Sequence, residues 1–163
     1  MNKGKVIIYT GEGHGKSSAG LGCAVQKAAK GEHVVIIQFL KGKGVCETEF
    51  IKNLEPEIRI FRFEKSDRDF NMLSSEQQEE ELMNIRNGFG YARKIMSTGE
   101  CNLLVLDEVL GLVDTQIISA EDLAALIENK PEEMDLILTG ITAHDEICKM
   151  ADEVNRIEPV TYE

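Results

Sequence analysis

No stretch of the chain approaches the ~20 consecutive apolar residues that a bilayer-spanning helix requires, so no membrane-crossing segment is expected. Basic residues are also in deficit: 18 Lys plus Arg stand against 29 Asp plus Glu, a formal net charge of −11. An excess of that sign repels polyanions, which argues against a surface built to grip nucleic acid or anionic lipid. Any phosphate site must then be local, made from backbone amides and one or two lysines. Cysteine is sparse, and Cys23, Cys46, Cys101 and Cys148 lie far apart with no C-x-x-C pair. That usage suits reduced thiols, most of them core fillers, in a cytoplasmic protein. Met1-Asn2-Lys3-Gly4-Lys5 runs directly into a short apolar segment without a cleavable signal pattern. His14, His33 and His144 share no metal-ligand spacing, which argues against zinc. There is no internal repeat, low-complexity tract or linker, so the 163 residues are read as one domain over 1–163, with 42% apolar residues to fill its core.

What is present is an alternation of short β-branched runs and longer helical stretches. Residues 5–9 (KVIIY) read as a first strand, followed by a glycine-rich turn and a helix over 16–30 that Gly31 closes. Residues 33–39 (HVVIIQF) are almost continuously apolar, as a strand buried on both faces should be. A short helix is expected over 47–54 and a third, half-polar strand over 58–63. The charged segment 64–74 is irregular. Ser74 or Ser75, with Gln77 or Gln78 three residues on, caps a long helix reaching about Thr98. Residues 103–106 form a fourth buried strand ending in Asp107-Glu108. Ser119 with Asp122 starts a helix over 120–129, and Pro131 stops it. A strand over 135–139, a helix over 143–152 and an edge strand over 154–159 complete the pattern. Strand–helix alternation calls for right-handed crossovers, hence an α/β fold with a mainly parallel sheet and helices on both faces. Ligands of such sheets sit beyond the C-terminal ends of the strands.

The strongest chemical signal lies between the first strand and the first helix: Thr10-Gly11-Glu12-Gly13-His14-Gly15-Lys16-Ser17-Ser18. Glycines let a backbone wrap closely around phosphate, and the helix that follows adds its positive end. Lys16 supplies a mobile cation for the outer phosphates, and the Ser17 hydroxyl is placed to ligate Mg2+. The usual phosphate loop has glycine where this chain has Thr10, with Gly11 one residue later. The partner signal is the buried strand ending in Asp107-Glu108, which can hold Mg2+ directly or through water. If strand geometry persists, Glu108 points away from Asp107, and in an ATPase it would serve as the base for water. Gln38 and Lys41, at the end of the second strand, can touch nucleotide or substrate. Thr139-Gly140 ends the fifth strand at the same edge and can offer a backbone contact. Arg59, Arg62 and Arg68 can face a polyanionic ligand, but pairing with the many nearby acids is the plainer reading. Residues 76–81 (EQQEEE) read as a solvated helix face. These residues alone leave open a nucleotide-dependent transferase, a P-loop ATPase or kinase, and a nucleotide-binding regulatory module.

Taken together, Tyr9-Thr10-Gly11-x-Gly13-x-Gly15-Lys16-Ser17-Ser18-Ala19, Gln38-Phe39-Leu40-Lys41-Gly42, Val105-Leu106-Asp107-Glu108, Thr139-Gly140 and Ala151-Asp152-Glu153-Val154 resemble, in order and spacing, the ATP:corrinoid adenosyltransferases of the P-loop type. The resemblance covers nearly the whole chain and implies a RecA-like P-loop nucleotide-binding fold. It further implies that C5′ of ATP meets the Co(I) centre of a reduced corrinoid and that triphosphate leaves, forming adenosylcobalamin. The loop amides, Lys16 and Mg2+ would stabilise the departing charge, with Ser17 and Glu108 as metal-side groups beside Asp107. A reductant or reductase supplying Co(I), and a homodimer, are implied as partners. The chain departs from the family pattern at His14, where a second lysine is usual, and at Ser17-Ser18, where threonines are usual. It also departs at Ile141, where arginine commonly follows Thr-Gly, and at 63–70, where Phe and Trp usually stand; this chain has no Trp. Phe63 and Phe70 are the aromatic residues left there to pack on a corrin ring.

Overall fold

In the computed structural model, which describes residues 3–40 and 52–163, short apolar runs form the six strands of one sheet. They are β1 (Val6–Thr10), β2 (Val34–Gln38), β3 (Ile58–Arg62), β4 (Leu103–Asp107), β5 (Asp135–Thr139) and β6 (Glu153–Arg156). Their order is β3-β2-β4-β5-β1-β6, and every neighbouring pair is parallel. All C-terminal ends therefore share one edge, where Thr10, Gln38, Arg62, Asp107 and Thr139 close their strands. The helices are α1 (Lys16–Ala29), α2 (Ser75–Thr98), α3 (Val109–Asp114), α4 (Ala120–Glu128) and α5 (Asp145–Cys148), with one 3-10 turn at Phe70–Met72.

Strand alternation divides the apolar side chains between two cores. Val35 and Ile37, Leu104 and Leu106, and Leu136 and Leu138 point to one face, where α2, α3, α4 and Ile147 of α5 cover them. Val34 and Ile36, Leu103 and Val105, and Ile137 point to the other face, under Ala24 of α1. Gly20 lets α1 lie close to β4, since a Cβ there would stand 3.2 Å from the Val105 Cγ1. Helices thus lie on both faces of a parallel sheet, as the alternation predicts.

The helix signals at α2 and α4 hold in detail. Ser74 and Gln77, and Ser119 and Asp122, each form a reciprocal capping box. Four expectations change. The helix expected over 143–152 shrinks to α5, because Asp152 is drawn into the sheet: its N–H donates to the Val6 carbonyl and its Oδ2 accepts the Val6 N–H. Helical geometry cannot continue into that pairing. A helix not anticipated, α3, starts directly after Glu108, so strand geometry stops at Asp107. Glu81 is not part of a solvated face: it is buried, accepting from the Lys65 N–H and the Asn84 amide at 3.0 Å each. The edge strand ends at Arg156 rather than at Pro159. The helix expected over 47–54 lies largely outside the described residues.

Leu104 is fully buried on β4 between the sheet's central strands and α2. Leu104→Ala is expected to cost about 2–5 kcal/mol through lost contacts and the cavity left behind. Urea titration should show a lower midpoint with an unchanged slope.

Candidate functional site

The glycine-rich loop joins β1 to α1 at the sheet's C-terminal edge. Its hydrogen bonds show how it is held. The Gly11 N–H donates to the Ile141 carbonyl (3.0 Å) and the Gly13 N–H to the Ile157 carbonyl (2.8 Å). The Thr10 hydroxyl also donates to the Ile141 carbonyl at 2.9 Å, and the Ile157 N–H returns to the Thr10 carbonyl at 2.7 Å. The loop is therefore clamped between the segment after β5 and the segment after β6. Gly11 has φ 110°, and a Cβ there would collide with the Ile157 carbonyl. Glycine is required at that position by both backbone angle and space.

Because Gly11 and Gly13 spend their N–H groups inside the protein, the amides left for an anion are those further along. Gly15 has φ 110° and caps α1 with no side-chain hydrogen bond. The first intrahelical bond is Ala19 N–H to the Gly15 carbonyl, so the N–H groups of Lys16, Ser17 and Ser18 project from the helix start, where the dipole is positive. Lys16 is buried, and its ammonium donates to the Gly13 carbonyl at 2.8 Å. The Glu12, His14 and Ser18 side chains face solvent. A phosphate-sized anion-binding nest thus stands on a strongly acidic protein.

Beside the loop, Asp107 is 3% exposed and its Oδ1 accepts two hydroxyls, Ser17 at 2.7 Å and Thr139 at 2.8 Å. Thr139 in turn accepts the Glu108 N–H at 2.8 Å. This network ties α1, β4 and β5 together at one point. Glu108 has φ 63°, which turns the chain sharply from β4 into α3. Its carboxylate therefore does not simply oppose Asp107 across a strand, as strand geometry would have it. Instead its Oε2 lies over the first turn of α3, 3.7 Å from where a Gly111 Cβ would stand, close to Leu40. Ser17 and the two carboxylates are hard oxygen donors. Among the described residues no group of three or more His, Cys, Asp or Glu converges to cage a metal. Such a donor set fits a cation shared with phosphate oxygens rather than an all-protein site.

The remaining predicted residues divide. Gln38 ends β2 in register with Asp107 and is half-buried at the edge. Lys41 lies outside the described residues. Phe63 is turned into the core, 5.6 Å from the Tyr91 ring centroid and against Gly88, rather than toward the site. Phe70 lines a cavity of about 90 Å³ with Leu40, Glu64, Arg68 and Glu81. Leu40 adjoins Gly111 on one side and donates its N–H to Glu64 Oε1 (2.6 Å) on the other, so it stands between the Glu108 turn and the cavity. Burial pushes the Glu64 carboxyl above the usual carboxylate range, opposed in part by the Leu40 hydrogen bond. Sequence reasoning missed the side-chain role of Thr139 and the brace from Ile157. Threonine at a strand end beside Asp107 was visible in the pattern; a carbonyl brace leaves no residue-type signal.

A family model described as ATP:corrinoid adenosyltransferase BtuR/CobO/CobP matches residues 2–163. The chain is 24% identical over 160 residues to a corrinoid adenosyltransferase of Escherichia coli K12, covering 98% of this chain and 79% of that protein. It is 28% identical over 169 residues to one from Sinorhizobium sp, covering 98% of this chain and 74% of that one. Among solved structures, a KaiC-like protein from Pyrococcus horikoshii OT3 superposes with a TM-score of 0.64 at 19% identity, over 97% of this chain and 73% of that one. The last likeness bears on the RecA-like P-loop fold alone.

Gly11→Ala should displace the loop from Ile157, lowering both the melting temperature and ATP affinity in calorimetry. Thr139→Val keeps shape but strips a buried hydrogen-bond link, and should cost about 1–3 kcal/mol in denaturant titration. Glu64 gives a pH signature. A carboxyl raised in the folded state favours folding below its unfolded value, and that contribution is lost as pH rises through the folded value. Glu64→Gln still accepts the Leu40 N–H, so it should melt higher than wild type at pH 8. The difference should vanish below about pH 4, where both states are protonated.

Proposed function

The chain belongs to the ATP:corrinoid adenosyltransferase family, and from that membership we infer its reaction. It transfers the 5′-deoxyadenosyl group of ATP to the Co(I) centre of a reduced corrinoid and releases triphosphate. The observation that carries this reading onto particular residues is the clamped phosphate loop facing the Ser17–Asp107–Thr139 network. Co(I) supplies the electron pair for the new bond to C5′, the bond from C5′ to the phosphate oxygen breaks, and triphosphate departs with that pair. No proton moves in this step, so the protein's task is to orient ATP and to hold the growing charge on the leaving group.

The residues divide that work. The N–H groups at the start of α1 donate hydrogen bonds to the polyphosphate, while Glu12 and His14 serve through their backbone. Lys16 exchanges the Gly13 carbonyl for an outer phosphate oxygen. Ser17, with Asp107 and Glu108, would hold Mg2+ at this edge, and the ion would supply positive charge for the leaving triphosphate. Gln38 lies on the substrate side of the edge. Phe70, opening into the cavity beside Leu40, offers the corrinoid an aromatic surface, whereas the Phe63 ring is taken up by Tyr91 and Gly88. The reduced corrinoid requires a reductant or reductase as partner, and we place the reaction in the cytoplasm, carried out by a homodimer. No helix among the described residues is long and apolar enough to cross a membrane.

Product analysis tests the reading. With ATP and a corrinoid reduced to Co(I), wild type should release intact triphosphate and form an adenosylated corrinoid; steady ADP production without corrinoid would overturn it in favour of an ATPase. Lys16→Ala removes a charge-assisted contact and should weaken MgATP binding by about one to two decades in calorimetry. Glu108→Gln should slow transfer, and raised Mg2+ should recover part of the rate. Loss at every Mg2+ concentration would instead point to a base acting on water.

A further inference from the structure

Arg62 ends β3 at the same level of the sheet as Gln38 on β2 and Asp107 on β4, for Gln38 is in register with both. Face follows from alternation. Ile58 and Ile60 pack in the core under α1, whereas Phe61 and Phe63 pack in the opposite core, so Arg62 faces the α1 side. By the same rule Gln38 follows Val34 and Ile36, and Asp107 follows Leu103 and Val105, onto that side. Ser17 of α1 reaching Asp107 is the direct evidence of it. Thr139, Asp107, Gln38 and Arg62 therefore form one polar row across four adjacent strands, beginning beside the phosphate loop. Arg62 lies two strand spacings from Asp107, about 10 Å, a gap that an extended arginine and one bound oxyanion can fill.

The guanidinium is not paired as its acidic surroundings suggest. Its Nε and Nη2 are shielded from solvent and have no acceptor among the described residues. Glu64 is near enough to feel the positive charge, but its Oε1 is engaged by the Leu40 N–H. Arg59, on the other face, has instead settled 5.8 Å over the Phe61 ring. A shielded cation with open N–H groups is costly unless an acceptor arrives. The planar fork of a guanidinium is best matched by a phosphate or carboxylate.

We propose that Arg62 is a substrate-anchoring residue, taking an oxyanion of a bound substrate at the far end of the polar row from the phosphate loop. The proposal rests on the adenosyltransferase reading for its two sources of that oxyanion: the polyphosphate of ATP, or an acid group on the periphery of the corrinoid. Gln38, between Asp107 and Arg62, lies along the path the ligand would bridge.

The experiment compares wild type with Arg62→Met, which keeps an unbranched apolar stem but no charge, and Arg62→Lys. Calorimetry measures MgATP and sodium tripolyphosphate. Absorbance titration measures a corrinoid bearing free carboxylates and its fully amidated counterpart. A loss of about ten- to a hundredfold for ATP and tripolyphosphate in Arg62→Met, partly restored in Arg62→Lys, identifies the polyphosphate. A loss confined to the carboxylate-bearing corrinoid identifies the corrinoid. Unchanged affinity for all four ligands, with a fall in urea midpoint, would overturn the proposal and assign Arg62 an internal partner; unchanged affinity with an unchanged midpoint overturns it equally. These titrations require no turnover. Failure of the family reading would appear separately, as absence of adenosylated corrinoid from wild type.

Discussion

One carboxylate oxygen organises the site. Asp107 Oδ1 accepts the hydroxyls of Ser17 and Thr139, and Thr139 accepts the Glu108 N–H in return. Three elements that are remote in sequence, α1, β4 and β5, are thereby locked at the point where the phosphate loop becomes a helix. Buried carboxylates are costly unless their charge is hydrogen-bonded, and hydroxyl donors provide that without cancelling the charge. A lysine in place of either donor would pair with Asp107 and cancel its charge. The sheet order serves the same arrangement. With β5 between β1 and β4, the loop and Asp107 are separated by one strand, and α1 can lie across that gap.

A net charge of −11 sets the second constraint. Long-range attraction cannot gather a polyphosphate onto such a surface, so the site depends on short-range donors held in advance. This explains why the loop spends two amides on rigidity: Gly11 and Gly13 bond to Ile141 and Ile157, leaving the α1 amides aimed and waiting. Lys16 bonding the Gly13 carbonyl keeps its ammonium inside the same loop. Preorganisation of this kind favours a reaction whose difficulty is charge on a leaving group, since the donors need not reorganise as that charge grows.

Much of this was legible in the residues, and what was not has physical reasons. Strands buried on both faces announce themselves as apolar runs, and capping boxes at Ser74 and Ser119 are local chemistry, so β2, β4, α2 and α4 could be read directly. The phosphate loop and Asp107 were readable because glycine, lysine and a strand-end carboxylate are constrained by what they bind. The helix after Glu108 was not, because it depends on one residue adopting φ 63°, an angle few side chains prefer. The shortened α5 was hidden too, since its end is set by Asp152 pairing with Val6, a partner 146 residues away. Phe63 and Phe70 look equivalent in sequence. Only the position of α2, with Gly88 open to receive a ring, separates the core aromatic from the one beside the cavity.

The two ends of the sheet edge are built on different terms. On the β1 side, the loop is clamped chiefly through backbone, by the Ile141 and Ile157 carbonyls that follow β5 and β6, with the Thr10 hydroxyl adding one bond to Ile141. On the β2 and β3 side, shape depends on side chains: Leu40 against Gly111, Glu64 on the Leu40 N–H, and Glu81 on the Lys65 N–H. A fold that fixes one end through backbone and the other through side chains lets the second vary while the first is held. The departures of this chain from its family's pattern at 63–70 fall on the half of the edge that side chains shape.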